Sequence, residues 1–172
     1  YPWETCMTMA GGWSYSFDPH YKSSASLVRT LVDIVAKGGN FLLNVAPGPD
    51  GELDSTAYQR LADIGGWMTL NGTAIYATRP VAPYKEGKVC LTQKKDGKTI
   101  YLFYLADEDE TIMPSKIWLS SLSLPETARV RLLNSTSYLK WERVGKGFMV
   151  HIPESVRQKP PCKWVWVLEI IR

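Results

Sequence analysis

Two stretches of the first 80 residues repeat their apolar side chains with helical spacing, and a short apolar run lies between them. The first stretch follows Ser23 and Ser24, either of which can cap a helix. Its wide apolar face predicts an α-helix and consists of Leu27, Val28, Leu31, Val32, Ile34 and Val35. Gly38 stands where helices commonly stop in the left-handed conformation. Residues 41–45 are too few for a helix and too apolar for an edge strand, so they predict a strand covered on both faces.

A second helix is predicted to begin at Asp54 or Ser55 and to end at the Asn71-Gly72 pair. Its core-facing side chains are expected to be Tyr58, Leu61, Ile64, Trp67 and Met68. Residues 1–10 predict a strand and the start of a loop, and residues 11–22, rich in glycine and aromatic side chains, predict a loop. The order strand, helix, strand, helix is typical of parallel βα units.

The hydrophobic period changes near residue 80, where short apolar or alternating stretches replace the helical pattern. The turn residues Asp96-Gly97 lie between two of these stretches and predict a hairpin. Strands are predicted at residues 89–91, 99–105, 117–122, 128–133, 138–144, 148–152 and 163–170. Several short strands with turn residues between them indicate an antiparallel sandwich. With a boundary at Arg79-Pro80, the predicted domains are residues 1–79 and 80–172.

The loop after the predicted strand at residues 41–45 is a candidate functional site. Asn44 interrupts the apolar run near the carboxyl end of that strand, and Pro47, Gly48 and Pro49 then prevent regular structure. In α/β barrels, the chemistry lies at the carboxyl ends of the parallel strands. The sequence therefore predicts functional side chains in the loops at this end.

The composition excludes several classes of function. The 172 residues have a net charge of +3 and no cluster of basic and aromatic side chains, which argues against a nucleic-acid partner. No apolar run reaches the roughly 20 residues that span a bilayer. Cys6, Cys90 and Cys162 lie far apart and fit neither a metal site nor a disulfide framework, so no metal is expected.

Four motifs, in order, resemble those of one enzyme family. They are Pro2-Trp3-Glu4-Thr5-Cys6, Gly12-Trp13-Ser14-Tyr15, the stretch from Leu27 through Gly38-Gly39-Asn40-Phe41-Leu42-Leu43-Asn44 to Asp50-Gly51, and Leu70-Asn71-Gly72-Thr73-Ala74-Ile75-Tyr76-Ala77-Thr78-Arg79-Pro80. Together they resemble the C-terminal portion of the α-L-fucosidases of glycoside hydrolase family 29. The resemblance is strong to about residue 80 and continues more weakly to the C-terminus.

The resemblance implies an α/β plus all-β fold, in which the last βα units of a (β/α)8-like barrel precede an antiparallel β-sandwich. It implies retaining hydrolysis of terminal α-L-fucose from glycans or glycoconjugates by double displacement, without metal or organic cofactor. The implied partner is a fucosylated oligosaccharide or glycoconjugate. A secreted, periplasmic or lysosomal location is favoured, and the oligomeric state is left open.

A second expected partner is the remaining part of the catalytic barrel. A barrel of this class needs eight strands, and two βα units alone would leave their apolar faces in water. The family's nucleophile is an Asp at the end of an earlier strand, so it is expected outside this chain.

Glu4 is the side chain expected to act as the catalytic acid/base. It follows Trp3 at what the pattern suggests is the end of a strand, where burial beside aromatic residues would keep its carboxyl protonated. In several family members the acid/base is a Glu about nine residues before a Trp, and Glu4 stands nine residues before Trp13. Other members place this group on a different loop. Alternatively, Glu4 pairs with an Arg or Lys and only holds the barrel rim.

Three further side chains are expected to bind substrate. Trp13 and Tyr15 could border the sugar pocket, because aromatic faces stack on the apolar faces of sugars. By resemblance, Val45 could contact the methyl group of fucose. Core packing is the alternative for each of them, and turn formation is the expected role of Asp18 and Asp50.

A different class of function also fits this sequence. The β-rich half could be a non-catalytic carbohydrate-binding or scaffolding module that carries a barrel remnant. A fucose bound near Glu4 would favour the enzyme, whereas a sugar bound on the sandwich alone would favour the module.

Overall fold

The computed structural model describes residues 3–172; Tyr1 and Pro2, at the start of the predicted first strand, lie outside the described residues. The first segment consists of β1 (Trp3–Thr8), α1 (Ser24–Ala36), β2 (Gly39–Asn44) and α2 (Ser55–Asn71). β1 and β2 pair in parallel, with Thr8 opposite Asn44 at their carboxyl ends. The prediction of parallel βα units is therefore confirmed.

The glycine pair Gly38-Gly39 allows α1 to pass directly into β2. Gly38 has a φ of +81°, the left-handed conformation that ends a helix. A Cβ at Gly39 would lie 2.4 Å from the Trp3 ring, so only glycine leaves room for that indole. The Trp3 Nε1–H donates to the carbonyl of Lys37 at 3.1 Å, which satisfies a free carbonyl at the end of α1.

Both α1 and α2 begin with a side-chain cap, as the sequence predicted. The Ser23 hydroxyl accepts from the Ser26 N–H at 3.1 Å, and the Asp54 carboxylate accepts from the Ala57 N–H at 2.9 Å. The predicted core face of α2 is only partly correct. Trp67 is buried, whereas Tyr58 and Leu61 are exposed.

The second segment contains nine strands and one short helix. They are β3 (Thr78–Glu86), β4 (Val89–Lys94), β5 (Thr99–Leu105), β6 (Lys116–Leu119), β7 (Arg129–Leu132), β8 (Tyr138–Leu139), β9 (Trp141–Val144), β10 (Gly147–His151), α3 (Glu154–Arg157) and β11 (Val165–Ile171). One sheet has the order β3-β4-β5-β11-β7-β8, and the other has the order β6-β10-β9. All of their pairings are antiparallel, and the predicted hairpin joins β4 to β5.

Two sequence expectations in this segment need correction. The boundary at residues 79–80 falls inside β3, a strand that was not predicted because Pro80 and Pro83 interrupt it. Its pairing with β4 shifts register between Pro80 and Lys85. The single strand predicted at residues 138–144 is divided into β8 and β9, which belong to different sheets.

The six-stranded sheet is covered on both faces, because its central strands contribute alternate side chains to two cores. Ile100 and Leu102 of β5 lie in the core between the two sheets. Tyr101 and Phe103 of the same strand lie in a second core, which also contains Val28 and other side chains of α1 and α2. We call this second core the shared core. It joins the βα segment to the sandwich.

Polar contacts reinforce the shared core. The buried Trp67 Nε1–H of α2 donates to the carbonyl of Val165 at 3.0 Å, and the Arg29 guanidinium of α1 donates to the carbonyl of Ala106 at 2.8 Å. The sandwich therefore braces both helices from the side opposite to β1 and β2.

Candidate active site

The carboxyl ends of β1 and β2 lie side by side and form one edge from which two loops leave. The Met9 N–H donates to the carbonyl of Asn44 at 2.9 Å, which extends the pairing one residue beyond Thr8. Residues 10–21 follow β1, and residues 45–54 follow β2. We call this edge the rim; it corresponds to the catalytic end of an α/β barrel.

Side-chain alternation gives the two-stranded sheet a helix-facing side and an opposite side. Trp3, Thr5 and Met7 of β1 share a recess with side chains of α1. The intervening residues therefore face away from α1, because successive strand side chains alternate. They are Glu4, Cys6 and Thr8 of β1, with Asn40, Leu42 and Asn44 opposite them in β2. Leu42 on this side is 51% exposed.

The expected position of Glu4 is wrong. Glu4 is the second residue of β1, pairs with Asn40 near the start of β2, and is exposed. It lies at the amino end of the strand, four residues before Thr8, whereas barrel chemistry lies at the carboxyl end. The sequence argument for an acid/base role rested on a strand-end location and on the spacing of Glu4 to Trp13. The first basis is lost, and only the spacing remains.

Trp13 and Tyr15 lie on residues 10–21, which we call the aromatic loop. This loop also carries Phe17, and the three rings are 61%, 39% and 89% exposed, respectively. Tyr15 and Phe17 contact edge to face, with ring centroids 5.3 Å apart. The Asn44 Nδ2–H donates to the carbonyl of Trp13 at 2.9 Å, so the end of β2 holds the aromatic loop directly.

The base of the aromatic loop is held by Lys22. Its backbone N–H donates to the Met9 carbonyl at 2.9 Å. Its ammonium donates to the Thr8 carbonyl, to the Thr8 hydroxyl at 3.1 Å and to the Ala10 carbonyl at 3.2 Å. The two ends of the loop are thus fastened together at the end of β1.

Tyr21 ties the same loop to α2. Its hydroxyl donates to the Asp54 carboxylate at 2.5 Å, and Asp54 also caps α2. Burial and this hydrogen bond raise the pKa of Tyr21 to about 12, so the phenol remains a donor at neutral pH. The bond to Tyr21 and the cap to Ala57 lower the pKa of Asp54, which is consistent with an ionised cap.

A small cavity lies behind the rim. Its lining includes Tyr15, Asn44 and Val45, and its volume of about 20 Å³ holds a water molecule rather than a sugar. Val45 packs against the cluster of Met9, Leu27 and Ala57 between β2 and the helices. The contacts of Val45 therefore favour the core-packing alternative over contact with a fucose methyl group.

Asp50, another acidic side chain near the rim, has a structural role. Asp50 accepts from the Glu52 N–H at 3.1 Å within the turn after β2, as expected for a turn former. In the described part of the chain, no three His, Cys, Asp or Glu side chains form a group that could hold a metal ion. No helix within residues 3–172 is both long and apolar enough to cross a membrane.

Two rim residues were not among the sequence-predicted site residues. Asn44 was noted as a polar residue at a strand end where α/β barrels place their chemistry, but no role was assigned to it. The sequence pattern gave no reason to single out Lys22. The contacts of Lys22 reach back 12 to 14 residues, and no local pattern identifies them.

The comparisons with known proteins agree with this architecture. Residues 1–73 match the family model described as alpha-L-fucosidase, and residues 84–171 match the model described as the alpha-L-fucosidase C-terminal domain. An alpha-L-fucosidase of Branchiostoma floridae is 32% identical over 176 residues, which cover 98% of this chain and 38% of that protein. The plasma alpha-L-fucosidase of Homo sapiens is 30% identical over 177 residues, covering 98% and 37%.

A solved structure shows the same arrangement. The crystal structure of Thermotoga maritima alpha-fucosidase in complex with a mechanism-based inhibitor aligns with a TM-score of 0.86 and 29% identity, over 100% of this chain and 40% of that one. Fold and comparisons together place the chain among the barrel glycoside hydrolases that carry a C-terminal β-sandwich. It belongs to the α-L-fucosidase family, as its motifs suggested. It spans less than half the length of these relatives.

Proposed function

We propose that this chain supplies part of the active site of a retaining α-L-fucosidase, which removes terminal α-L-fucose from glycans or glycoconjugates by double displacement. The proposal rests on the geometry of the rim. In a chain of this family, the rim brings an aromatic loop and a strand-end amide together where an α/β barrel performs its chemistry.

In this proposal, the rim binds and orients the sugar. Trp13 and Tyr15 offer exposed aromatic faces to the apolar face of fucose. Asn44 holds the Trp13 backbone through its Nδ2, which leaves its amide oxygen as the atom that would accept from a sugar hydroxyl. The two carboxyl groups of a retaining mechanism stand about 5–5.5 Å apart. We assign neither of them to Glu4, because it lies at the other end of β1.

The remaining part of the barrel is the partner that completes this site. The exposed Leu42 lies on the side of the sheet that faces the interior of a closed barrel. The share of the relatives' length that this chain does not cover is enough for further strands, with the nucleophile and the acid/base on them. The shared core favours a scaffolding role for the sandwich within the enzyme over a separate binding module.

The test uses the full-length enzyme that contains this chain. Hydrolysis of an aryl α-L-fucoside is followed by proton NMR, and α-L-fucose is expected as the first anomer released. Trp13→Ala should lower kcat/KM by at least tenfold, whereas Trp118→Ala, at an exposed tryptophan on the smaller sheet, should leave it unchanged. Absence of fucoside turnover, or β-L-fucose as the first product, would contradict the proposal.

A further inference from the structure

We propose that Lys22 is a positioning residue for sugar binding: its ammonium fastens the aromatic loop to the end of β1 and so fixes Trp13 and Tyr15 at the rim. The inference rests on the proposed function for its effect on catalysis. The structural part, that Lys22 orders the loop, stands independently of it.

The bonding of the ammonium is the first observation. An ammonium has three N–H donors and no acceptor, and Lys22 directs its donors at the Thr8 carbonyl, the Thr8 hydroxyl and the Ala10 carbonyl. The Thr8 hydroxyl in turn donates to the Ala10 carbonyl at 2.5 Å. Within residues 3–172 the ammonium forms no ion pair, so its contacts are directed at the strand end rather than at a neutralising carboxylate.

The backbone of Lys22 adds a second set of contacts at the same place. Its N–H donates to the Met9 carbonyl at 2.9 Å, and its carbonyl accepts from the Arg60 Nε–H of α2 at 2.9 Å. Lys22 directly follows the aromatic loop, so its contacts connect the end of that loop to the end of β1 and to α2. Ser23, the next residue, caps α1, so the same junction also fixes where that helix begins.

Apart from Lys22, the loop is tied to its surroundings by the Asn44 bond to the Trp13 carbonyl and by the Tyr21 bond to Asp54. Residues 11–18 are all exposed, and the Asn44 bond to the Trp13 carbonyl holds the middle of the loop. The ends of the loop lie close together, as in an Ω-loop, and the contacts of Lys22 with Thr8, Met9 and Ala10 hold them there. A displacement of 1 Å can lower a rate by about 10²-fold. A loop that carries two sugar-binding rings therefore benefits from fixed ends.

The experiment compares Lys22→Met and Lys22→Arg with the control Lys37→Met in the full-length enzyme. Lys37 lies at the other end of α1, where its ammonium pairs with Asp33. Hydrogen exchange of residues 9–22, where the Met9 N–H donates to Asn44 and the Lys22 N–H donates to Met9, is the first readout. Lys22→Met should speed exchange of this segment at least tenfold, Lys22→Arg should restore much of the protection, and Lys37→Met should leave it unchanged.

Steady-state kinetics on an aryl α-L-fucoside give the second readout. Lys22→Met should raise KM by about 10- to 100-fold with a smaller change in kcat, because loosened rings bind the sugar poorly. General destabilisation would instead reduce the amount of active enzyme and leave KM unchanged. If Lys22→Met does not fold, Thr8→Val removes one acceptor and should shift both readouts in the same direction by a smaller factor.

The outcomes separate this inference from the proposed function. Equal exchange and equal KM in Lys22→Met and Lys37→Met would overturn the role of Lys22, even in an active fucosidase. If the wild-type enzyme does not hydrolyse fucosides, the proposed function fails, and the exchange of residues 9–22 alone decides whether Lys22 orders the loop.

Discussion

Replacement of Glu4 by Gln in the full-length enzyme tests at which end of β1 the chemistry lies. Glu4 precedes Thr8, the last residue of β1, by four positions. At about 3.3 Å per residue, the two Cα atoms are separated by roughly 13 Å along the strand. A general acid must approach the leaving oxygen to about 2.6–3.2 Å. A glutamate at position 4 does not reach a sugar held by Trp13 and Asn44 at the rim.

The expected result follows from this separation. Loss of the general acid typically costs about 10²–10⁴-fold in rate. Glu4→Gln should instead keep kcat/KM within roughly threefold of the wild-type value, well below the loss expected for a general acid. The amide preserves the size of the side chain, and at position 4 this side chain takes no part in proton transfer. The assay should use an aryl α-L-fucoside and a fucosylated oligosaccharide, since the oligosaccharide has the poorer leaving group and depends most on protonation.

A loss of 100-fold or more on the oligosaccharide, with a much smaller loss on the activated aryl fucoside, would refute this reasoning. That pattern identifies a missing general acid. It would restore the acid/base role that the spacing of Glu4 and Trp13 suggested, and it would require the sugar to lie deep inside the barrel rather than at the rim.

Three further predictions concern the rim and the shared core. Asn44→Ala should raise KM by up to about tenfold, because the Trp13 carbonyl loses its donor; fucoside kinetics measure this. Trp67→Ala should destabilise the chain by about 3–5 kcal/mol, which lowers the Tm by roughly 6–20 °C in thermal circular dichroism. Glu86→Gln should cost about 1 kcal/mol at pH 7, measured by urea unfolding, because the Glu86 carboxylate accepts hydrogen bonds from Ser120 and its neighbour. Burial alone would raise the pKa of Glu86, but the hydrogen bonds outweigh burial and lower the pKa. The cost of Glu86→Gln should therefore disappear as the pH falls from about 4.5 through the lowered pKa of the folded protein, because the wild-type carboxylate becomes protonated.

Each of these predictions has its own control or contradiction. Leu70→Ala, at an exposed position on α2, should change the Tm little, and two separate transitions in Trp67→Ala would show that the shared core does not couple the segments. A cost for Glu86→Gln that persists after the Glu86 carboxyl of the wild type has been protonated would mean that shape, not charge, matters there. Unchanged KM in Asn44→Ala would show that the loop keeps its place without that amide.

Much of the fold could be predicted because local signals agreed with the final structure. Ser23 and Asp54 begin the helices, and Gly38 ends α1. Strand prediction failed where the residues of a strand are ones that strands usually exclude. β3 contains Pro80 and Pro83, which are tolerated because β3 is an edge strand that pairs with β4 on one side only.

The candidate site was less predictable because its geometry depends on strand direction and on contacts distant in sequence. The mixed polar and apolar pattern from Trp3 to Thr8 does not mark where β1 ends, so Glu4 was assigned to the wrong end. The contact of Asn44 with Trp13 spans 31 residues, and that of Lys22 with Thr8 spans 14. Neither leaves a periodic pattern in the sequence.

A crystal structure of the full-length enzyme with bound L-fucose tests the central claim most directly. The account predicts that the sugar lies at the carboxyl ends of β1 and β2, with its ring against Trp13 or Tyr15, a hydroxyl within hydrogen-bond distance of Asn44, and no contact with Glu4. A fucose bound against Glu4, or bound only on the sandwich, would contradict it.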